Sequence, residues 1–362
     1  MIRKIVLFVC LSAVLFACDK NAFVVNGTVE KGVSMGDSVY LQYVDKSSVV
    51  TIGRAAVKNG KFSIDGSIEK PRLCYLVTLL NGSPRSKAEL FAEPGDIELN
   101  VGAIRPTLSG TLLNERLQEY KDSIDILDRL FVQYYEKSKI PTLSEKGAEE
   151  ADKGMKVVTL VRNDYVNRFM VKNIDNVVSG YILSKNYDRL DPEKGLEYIS
   201  MMLPEHKNDT LIKHFEKTFQ NKIATAEGKP FVDFPAFTAD GQRVKLSDYV
   251  GKGKITVLNI WGTNRKGLAA EVAAFKAFAD AHKEQVQCLS FAVDTDVAKW
   301  NSTIKENNMW WQQISDLRGW GSTAIFAYGV NSYPYNIVFA ADGTILRKNV
   351  KVNELASVVA GQ

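Results

Sequence analysis

Thiol chemistry in this chain depends on four cysteines: Cys10, Cys18, Cys74 and Cys288. A cysteine acts as a nucleophile or a metal ligand in its thiolate form, so an exposed thiol with a lowered pKa is the form that reacts. Cys74 and Cys288 fall in apolar segments that we predict to be strands, and free cysteines are commonly buried. We expect two separate buried thiols, although a Cys74–Cys288 disulfide is allowed in an oxidising compartment.

The other polar side chains favour no metal, cofactor or nucleic-acid site. His206 and His214 lack partner ligands at the spacing of zinc sites. The 46 Lys and Arg residues nearly balance the 42 Asp and Glu residues, and two of the basic ones, Arg3 and Lys4, lie in the N-terminal segment. This balance gives no electrostatic basis for binding nucleic acid. We therefore expect no metal, no cofactor and no nucleic-acid partner.

Residues 1–17 have the pattern of a signal peptide. A positive start at Arg3 and Lys4 precedes an apolar run that is too short to span a membrane in a mature protein. The run ends in Leu-Phe-Ala-Cys, which resembles a bacterial lipobox, and this resemblance implies cleavage before Cys18 and a lipid on its thiol. The alternative is an ordinary secretory signal. Both interpretations place the chain outside the cytoplasm, and the first predicts a membrane-anchored lipoprotein in the periplasm or outer membrane of a Gram-negative bacterium.

Residues 18–108 alternate short apolar segments with turns. Segments such as DSVYLQYV and RLCYLVTLL are separated by the turn dipeptides Asn59-Gly60, Asn81-Gly82 and Pro94-Gly95. This pattern is typical of a small antiparallel β-sandwich. The segment contains no cluster of His, Cys or carboxylate residues, so we interpret it as an interaction or spacer domain.

Residues 109–226 change to a helical period. Pro141 interrupts a first long helix, a second is predicted around Met155–Val171, and Asp191 before Pro192 predicts another helix start. We expect the apolar stripe of the first helix to pack against a neighbouring element. The stripe consists of Leu113, Leu117, Tyr120, Ile124, Leu127, Phe131 and Tyr134.

Residues 227–362 alternate strands and helices. KITVLNIW is nearly continuously apolar, which predicts a strand covered on both faces. Residues 268–282 carry apolar side chains on one helical face, and VQCLSFAVD predicts the next strand, so the three make a β-α-β unit. YNIVFAADGTILRK predicts a hairpin that turns at Asp342-Gly343, and a last helix follows from about Asn353 to Ala360.

Two segments of this last region resemble a known family. GKPFVDFPAFTADGQRVKLSDYVGKGKITVLNIWGT and YGVNSYPYNIVFAADGTI are similar to segments of the extracytoplasmic TlpA-like proteins, thioredoxin-like members of the alkyl hydroperoxide reductase–thiol-specific antioxidant superfamily. The resemblance implies a thioredoxin-like α/β fold for residues 227–362, with a cis peptide at Pro334. More weakly, residues 21–225 resemble the β-rich domain and helical linker that precede such thioredoxins in many Gram-negative envelope lipoproteins.

The two active-site cysteines of the family fall at Arg265 and Leu268, in the turn TNRKGL, and the tryptophan before the first falls at Asn264. The first cysteine needs a helix N-terminus that lowers its pKa, and the second resolves the mixed disulfide. Arginine and leucine do neither, so we predict loss of the dithiol chemistry. A peroxiredoxin would need Thr-x-x-Cys here, but Lys266 follows Thr263. A cation at a helix N-terminus costs about 0.3–1 kcal/mol, so we expect a carboxylate or bound anion beside Arg265.

Peptide binding needs no sulfur. In the family, the residue before the cis-proline offers backbone groups to an extended peptide, and that residue is Tyr333 here. The helix-start amides could also hold a carboxylate or phosphate. Our leading interpretation is a lipid-anchored, redox-inactive protein that binds an extended polypeptide or a small anionic ligand in this groove. The residues predicted to surround the groove are Trp261, Asn264, Arg265, Lys266, Tyr333 and Pro334.

Two other functions stay open. The first is a thiol–disulfide oxidoreductase or peroxiredoxin-type enzyme that works through Cys288 or Cys74. The second is a structural or interaction protein whose working part is the β-rich domain. Large aromatic side chains are mostly packed, so the tryptophans of the C-terminal region are predicted to lie in its core or rim. They are Trp300, Trp310, Trp311 and Trp320.

Overall fold

A computed structural model describes residues 20–45 and 48–361. The predicted signal peptide and Cys18 therefore lie outside the described residues. The described residues form two compact units, one of residues 20–185 with 201–206, and one of residues 186–200 with 207–361. The residues of the helical region, 109–226, are divided between the two units.

The β-rich part of the first unit consists of two four-stranded sheets, ordered β4-β1-β7-β8 and β3-β2-β5-β6. Along most strands buried and exposed residues alternate, which gives each sheet one buried face. The predicted β-rich domain is confirmed, but β1 pairs with β7 in parallel, so it is not wholly antiparallel. The strands are β1 (Ala22–Val29), β2 (Ser38–Asp45), β3 (Ser48–Ala56), β4 (Lys61–Ser67), β5 (Arg72–Leu80), β6 (Ser83–Ala92), β7 (Gly95–Val101) and β8 (Pro106–Ser109).

Turns between these strands lie where the dipeptides predicted them. Asn59 and Gly60 both have positive φ, of 51° and 71°, and Asn81 and Gly82 have φ of 51° and 76°. Two consecutive left-handed residues make the tight turn that matches the twist of a hairpin, and Asn-Gly adopts it at least strain. The connection from β6 to β7 instead crosses to the other sheet, which is why β7 can lie parallel to β1.

The helical segment contains α1 (Leu112–Ser138), α2 (Glu145–Lys172), α3 (Val178–Asn186), α4 (Pro192–Met201), α5 (Pro204–Lys207) and α6 (Thr210–Ala224). The break at Pro141 is confirmed, and α2 begins earlier than predicted because Ser144 caps it by accepting the Gly147 N–H. The Asp191 cap is also confirmed, since its carboxylate accepts the Lys194 N–H. Only the first part of the predicted stripe is buried, and Phe131 is exposed.

The second unit is a seven-stranded sheet, ordered β10-β9-β13-β12-β11-β14-β15. Central β11 is parallel to β12 and antiparallel to β14, and separate apolar cores cover its two faces, as predicted for KITVLNIW. The strands are β9 (Pro235–Thr238), β10 (Arg243–Lys245), β11 (Ile255–Trp261), β12 (Val286–Ala292), β13 (Gln312–Ser315), β14 (Tyr335–Phe339) and β15 (Ile345–Lys348). This is the thioredoxin-like α/β fold that the resemblance implied.

Four helices pack on this sheet: α7 (Leu268–His282), α8 (Val297–Glu306), α9 (Thr323–Tyr328) and α10 (Leu355–Ala360). The bounds of α7 match the predicted helix, and the predicted hairpin is formed by β14 and β15. None of the described helices in either unit is long and apolar enough to span a membrane.

Candidate functional site

The candidate site lies at one edge of the second sheet. The parallel strands β11, β12 and β13 all end at this edge, and β14 begins there because it runs antiparallel to β11. Side chains that follow or precede these strands therefore meet, which is the usual origin of ligand sites in open α/β sheets. The edge brings together residues 262–268, Asp294, Trp320, Tyr333 and Pro334.

The turn of residues 262–267 leads from β11 into α7. Gly267, at φ 84°, stands immediately before the helix in a left-handed conformation that other residues adopt with strain. Asn264, Arg265 and Lys266 are exposed, whereas Leu268 is half-buried and packs on the core beneath α7. The positions thus keep the exposed-then-buried order that a reactive and a resolving cysteine would need.

Arg265 reaches across the site and makes two polar contacts. Its guanidinium donates to the backbone carbonyl of Tyr333, and it forms a 2.7 Å ion pair with Glu271 Oε1 in the first turn of α7. Glu271 is therefore the carboxylate that was expected to offset a cation at this helix start. Both side chains are partly exposed, so this pair stabilises the fold little, and its main effect is on the position of the guanidinium.

The carboxyl group of Glu271 has a pKa that is shifted from its ordinary value. Burial raises its pKa, and the neighbouring Arg265 offsets only part of that rise. The carboxylate that holds Arg265 is thus partly desolvated, and it takes up a proton more readily than a free glutamate. Weakening of the Arg265 contact on mild acidification follows from this direction.

Tyr333 and Pro334 are joined by a cis peptide bond, as the resemblance implied. The Tyr333 ring contacts both Gly262 and Trp320. A Cβ atom on Gly262 would approach the ring to 2.7 Å, so a larger residue there would displace the ring. The Trp320 ring is stacked on Tyr333 at a centroid distance of 5.4 Å and an interplanar angle of 14°. Tyr333 is half-buried, while Trp320 remains 54% exposed.

Asp294 holds the parts of the edge together. Its carboxylate, which is 8% exposed, accepts hydrogen bonds from the Thr263 N–H at 3.1 Å and from Thr263 Oγ1 at 2.6 Å. Its backbone carbonyl accepts the Gly319 N–H at 3.2 Å, immediately before Trp320. One residue at the end of β12 therefore anchors both the turn with Arg265 and the turn with Trp320.

Trp261 lies beneath the exposed surface of this edge. Its side chain is 3% exposed and packs with Val272 and Phe275 in the core beneath α7. It also lines a small cavity together with Glu271 and Pro334. Asn264, Arg265, Lys266, Tyr333 and Pro334 lie at the edge itself, and their role in binding stays a prediction.

A chain of buried polar groups forms the layer below the site. Trp311 Nε1 donates to Ser290 Oγ at 2.7 Å, Ser290 Oγ donates to Asn259 Oδ1 at 3.2 Å, and Asn259 Nδ2 donates to Asn336 Oδ1 at 2.9 Å. Asn336 Nδ2 in turn donates to the carbonyl of Val350 at 2.7 Å. Because a satisfied buried network restricts its members to one geometry, these bonds fix β11, β12 and β14 rigidly beneath the groove.

Both cysteines in the described part of the chain are free and buried. Burial raises the pKa of Cys74, in β5, to about 11 and the pKa of Cys288, in β12, to about 12. The prediction of two separate buried thiols is confirmed, and neither thiol is placed to act as a nucleophile. Within residues 20–45 and 48–361, no three His, Cys, Asp or Glu side chains are grouped to hold a metal ion.

Sequence reasoning missed Glu271, Asp294 and Trp320 as parts of the site. An acidic residue directly after a buried parallel strand, as in VQCLSFAVD, was a signal for Asp294, because such strand ends form ligand sites. The sequence predicts packing in the core or rim for Trp320 as it does for Trp300 and Trp311, which are buried. No local pattern distinguishes Trp320 from these two residues.

Comparison with known proteins bears on each unit separately. Residues 228–348 match the AhpC/TSA family. Residues 23–117 match a domain of unknown function, DUF4369. Each match covers less than half of the chain. A search of curated proteins found no match.

Among solved structures, the chain is similar to a thiol-disulfide oxidoreductase from Bacteroides fragilis, with 21% identity over 37% of this chain and 98% of that one and a TM-score of 0.35. It is also similar to the thioredoxin domain of a thiol-disulfide oxidoreductase from Bacteroides vulgatus, with 20% identity over 38% and 96% and a TM-score of 0.35. A secreted Mycobacterium tuberculosis disulfide oxidoreductase shares 25% identity over 36% and 96%, with a TM-score of 0.31.

Proposed function

We propose that this protein is a lipid-anchored, thioredoxin-like protein of the cell envelope that binds an extended polypeptide and does not exchange disulfides. The observation that carries the proposal is the contact of the Arg265 guanidinium with the Tyr333 carbonyl, beside cis-Pro334. A side chain that cannot attack sulfur occupies the helix start, and it bonds to a backbone acceptor that an extended chain can use instead.

Loss of disulfide exchange is supported by the chemistry of the thiols. Positions 265 and 268 hold arginine and leucine, and the raised pKa values of Cys74 and Cys288 leave almost no thiolate at neutral pH. In the described part of the chain, Cys74 and Cys288 are both free and form no disulfide with each other. An oxidoreductase or peroxidase that uses one of them is therefore disfavoured.

A polypeptide is favoured over a small anion because it can satisfy the Tyr333 carbonyl as well as Arg265. The guanidinium pairs with Glu271 and donates to the Tyr333 carbonyl. A small anion that drew the guanidinium away would leave this carbonyl without its donor, whereas a polypeptide supplies an N–H in its place.

The redox half of the proposal is tested with the purified full chain and insulin. We expect no acceleration of insulin disulfide reduction by dithiothreitol beyond that of a chain with both Cys74→Ala and Cys288→Ala. Turnover by the wild type that the double variant loses would establish an enzyme instead.

The binding half is tested with reduced, carboxymethylated α-lactalbumin as an unfolded polypeptide. We expect saturable binding that Tyr333→Pro weakens, since proline at that position changes the backbone that the partner pairs with. Equal binding by wild type and variant would place the polypeptide elsewhere and favour the β-rich domain as the working part.

The anchor is tested in cells by replacing Cys18 with serine. The lipobox resemblance predicts that labelled fatty acid is incorporated into the wild type and not into Cys18→Ser, and that the variant leaves the membrane fraction. Equal membrane association of the two would contradict a lipid anchor at this residue.

A further inference from the structure

We propose that Trp320 is an aromatic subsite of the groove, and that the polypeptide bound there places an aromatic or prolyl side chain on Trp320 and an acidic side chain on Arg265. This inference rests on the proposed function, for which it names the ligand class. The evidence is the stack of Trp320 on Tyr333, its presentation by an anchored turn, and the hydrogen bonds of Arg265.

The Trp320 indole is stacked on Tyr333 and is still largely exposed. Its ring lies nearly parallel to that of Tyr333 at 5.4 Å, yet more than half of the side chain is exposed. The uncovered surface therefore includes the face that points away from Tyr333. A flat apolar surface beside a backbone pairing site suits an aromatic or prolyl side chain, which stacks on indole with little loss of conformational entropy.

Trp320 is held in place before any ligand arrives. It lies in a one-turn 3-10 helix, Gly319–Gly321, whose first N–H is bonded to the Asp294 carbonyl. Ser322 then caps α9 by accepting the N–H groups of Ala324 and Ile325. The bonds at both ends hold the backbone of the turn, and the stack on Tyr333 positions the indole, so the ring is held before a specific contact forms.

Trp310 provides an internal contrast. It is also 54% exposed, but it precedes β13, so it lies at the opposite end of that strand from Trp320. Its indole N–H donates to Asp280 Oδ1 at 2.7 Å, and its ring meets Trp311 edge-on. The exposed surface of Trp310 is thus remote from the groove, which makes it a matched control.

Arg265 supplies the reason for an acidic side chain in the ligand. When a polypeptide N–H takes the Tyr333 carbonyl, Arg265 keeps Glu271 but loses its second acceptor. A carboxylate from the same polypeptide restores that bond in a charge-assisted form, and the exposed Lys266 adds favourable charge nearby. A neutral ligand would leave Glu271 as the acceptor of the guanidinium without a replacement for the Tyr333 carbonyl. Binding therefore selects for Asp or Glu in the ligand.

The test uses a random hexapeptide library displayed on phage and the full chain as bait. We expect enriched sequences to contain an aromatic residue or proline together with Asp or Glu. Synthetic peptides of those sequences should bind Trp320→Ala at least tenfold more weakly than wild type, in line with the loss of an aromatic anchor. Trp320→Phe should restore most of the affinity, and Trp310→Ala should leave Kd within twofold.

The outcomes separate the subsite from the function. Enriched peptides that bind Trp320→Ala and wild type equally, or that lack aromatic, prolyl and acidic residues, would overturn the subsite and leave polypeptide binding intact. A library without any enriched sequence would overturn the proposed function, and the subsite with it. Because Trp320→Phe retains a ring on the same turn, an affinity loss in Trp320→Ala that Phe reverses cannot be attributed to misfolding.

Discussion

The guanidinium of Arg265 donates a hydrogen bond to the backbone carbonyl of Tyr333, the residue before cis-Pro334. The two residues stand on different elements, the start of α7 and the loop before β14, and sheet topology alone brings them together. The bond joins the start of α7 to the loop before β14 across the edge of the sheet, and it gives the Tyr333 carbonyl a donor from the chain itself.

Replacing Arg265 with methionine tests this relationship. The variant frees the Tyr333 carbonyl and removes the cation, so a peptide with Gln in place of Glu should bind the variant more tightly than it binds wild type. The preference of the wild type for the Glu peptide should be lost. Calorimetric titration of both peptides with both proteins measures the change, and Lys266→Met is the matched control at the next position. A Glu preference that survives in Arg265→Met would place the acidic contact on Lys266.

Glu271→Gln should alter how stability depends on pH. Because burial raises the folded-state pKa of Glu271, the folded chain holds this proton to a higher pH than the unfolded chain does. In wild type, protonated Glu271 therefore favours the folded state at low pH. This contribution to the free energy of unfolding is lost as the pH rises through the ordinary carboxyl range and just above it. Gln does not titrate, so the variant should gain stability relative to wild type across that interval.

Urea unfolding at a series of pH values measures this difference. A difference between Glu271→Gln and wild type that is independent of pH, or that moves in the opposite direction, would show that Arg265 outweighs burial at this carboxylate. Repeating the comparison in the Arg265→Met background isolates the ion pair. In that background, Glu271→Gln should raise the free energy of unfolding by a larger amount, because Arg265 no longer stabilises the Glu271 carboxylate.

Elements with strong periodicity were predictable from sequence alone. The bounds of α7 followed from the apolar face of residues 268–282, and the β14–β15 hairpin followed from Asp342-Gly343. The buried state of Cys74 and Cys288 followed from their apolar surroundings. These features depend on neighbours in the chain, where helix and strand periods and turn dipeptides carry the information.

Contacts between distant elements were not predictable in this way. The β1–β7 pair is parallel because a connection crosses between sheets, and a strand pattern does not reveal its partner. The burial of Trp261 beneath α7 was not predictable, because an apolar strand does not say which of its residues reach the surface at the edge and which enter a core. The stack of Trp320 on Tyr333 joins two loops that only the completed sheet places together.

Asp294→Asn should loosen the edge of the sheet. The substitution keeps the shape but replaces a nearly buried carboxylate that accepts two hydrogen bonds from Thr263. Loss of charge-assisted bonds to buried donors costs about 1–3 kcal/mol, so we expect a fall of about 2 kcal/mol in the free energy of unfolding. A double-mutant cycle with Thr263→Val measures how much of this loss belongs to the hydrogen bond from the Thr263 hydroxyl. Additive effects of the two substitutions would show that Asp294 does not act through that hydroxyl.

Thiol labelling in the folded state tests the assignment of the two buried cysteines as unreactive. Burial raises the pKa of Cys74 to about 11 and that of Cys288 to about 12, so the thiolate is scarce at pH 8 and the sulfur is also shielded from the reagent. We expect Ellman's reagent to react with neither thiol until urea unfolds the chain, and single Cys→Ala variants to assign each signal. Labelling will follow opening of the fold, so its rate should rise with urea in step with the unfolded population. Rapid labelling of Cys288 in the native protein at neutral pH would restore the enzyme interpretation, because a reactive thiol in β12 would then lie in the same unit as the groove.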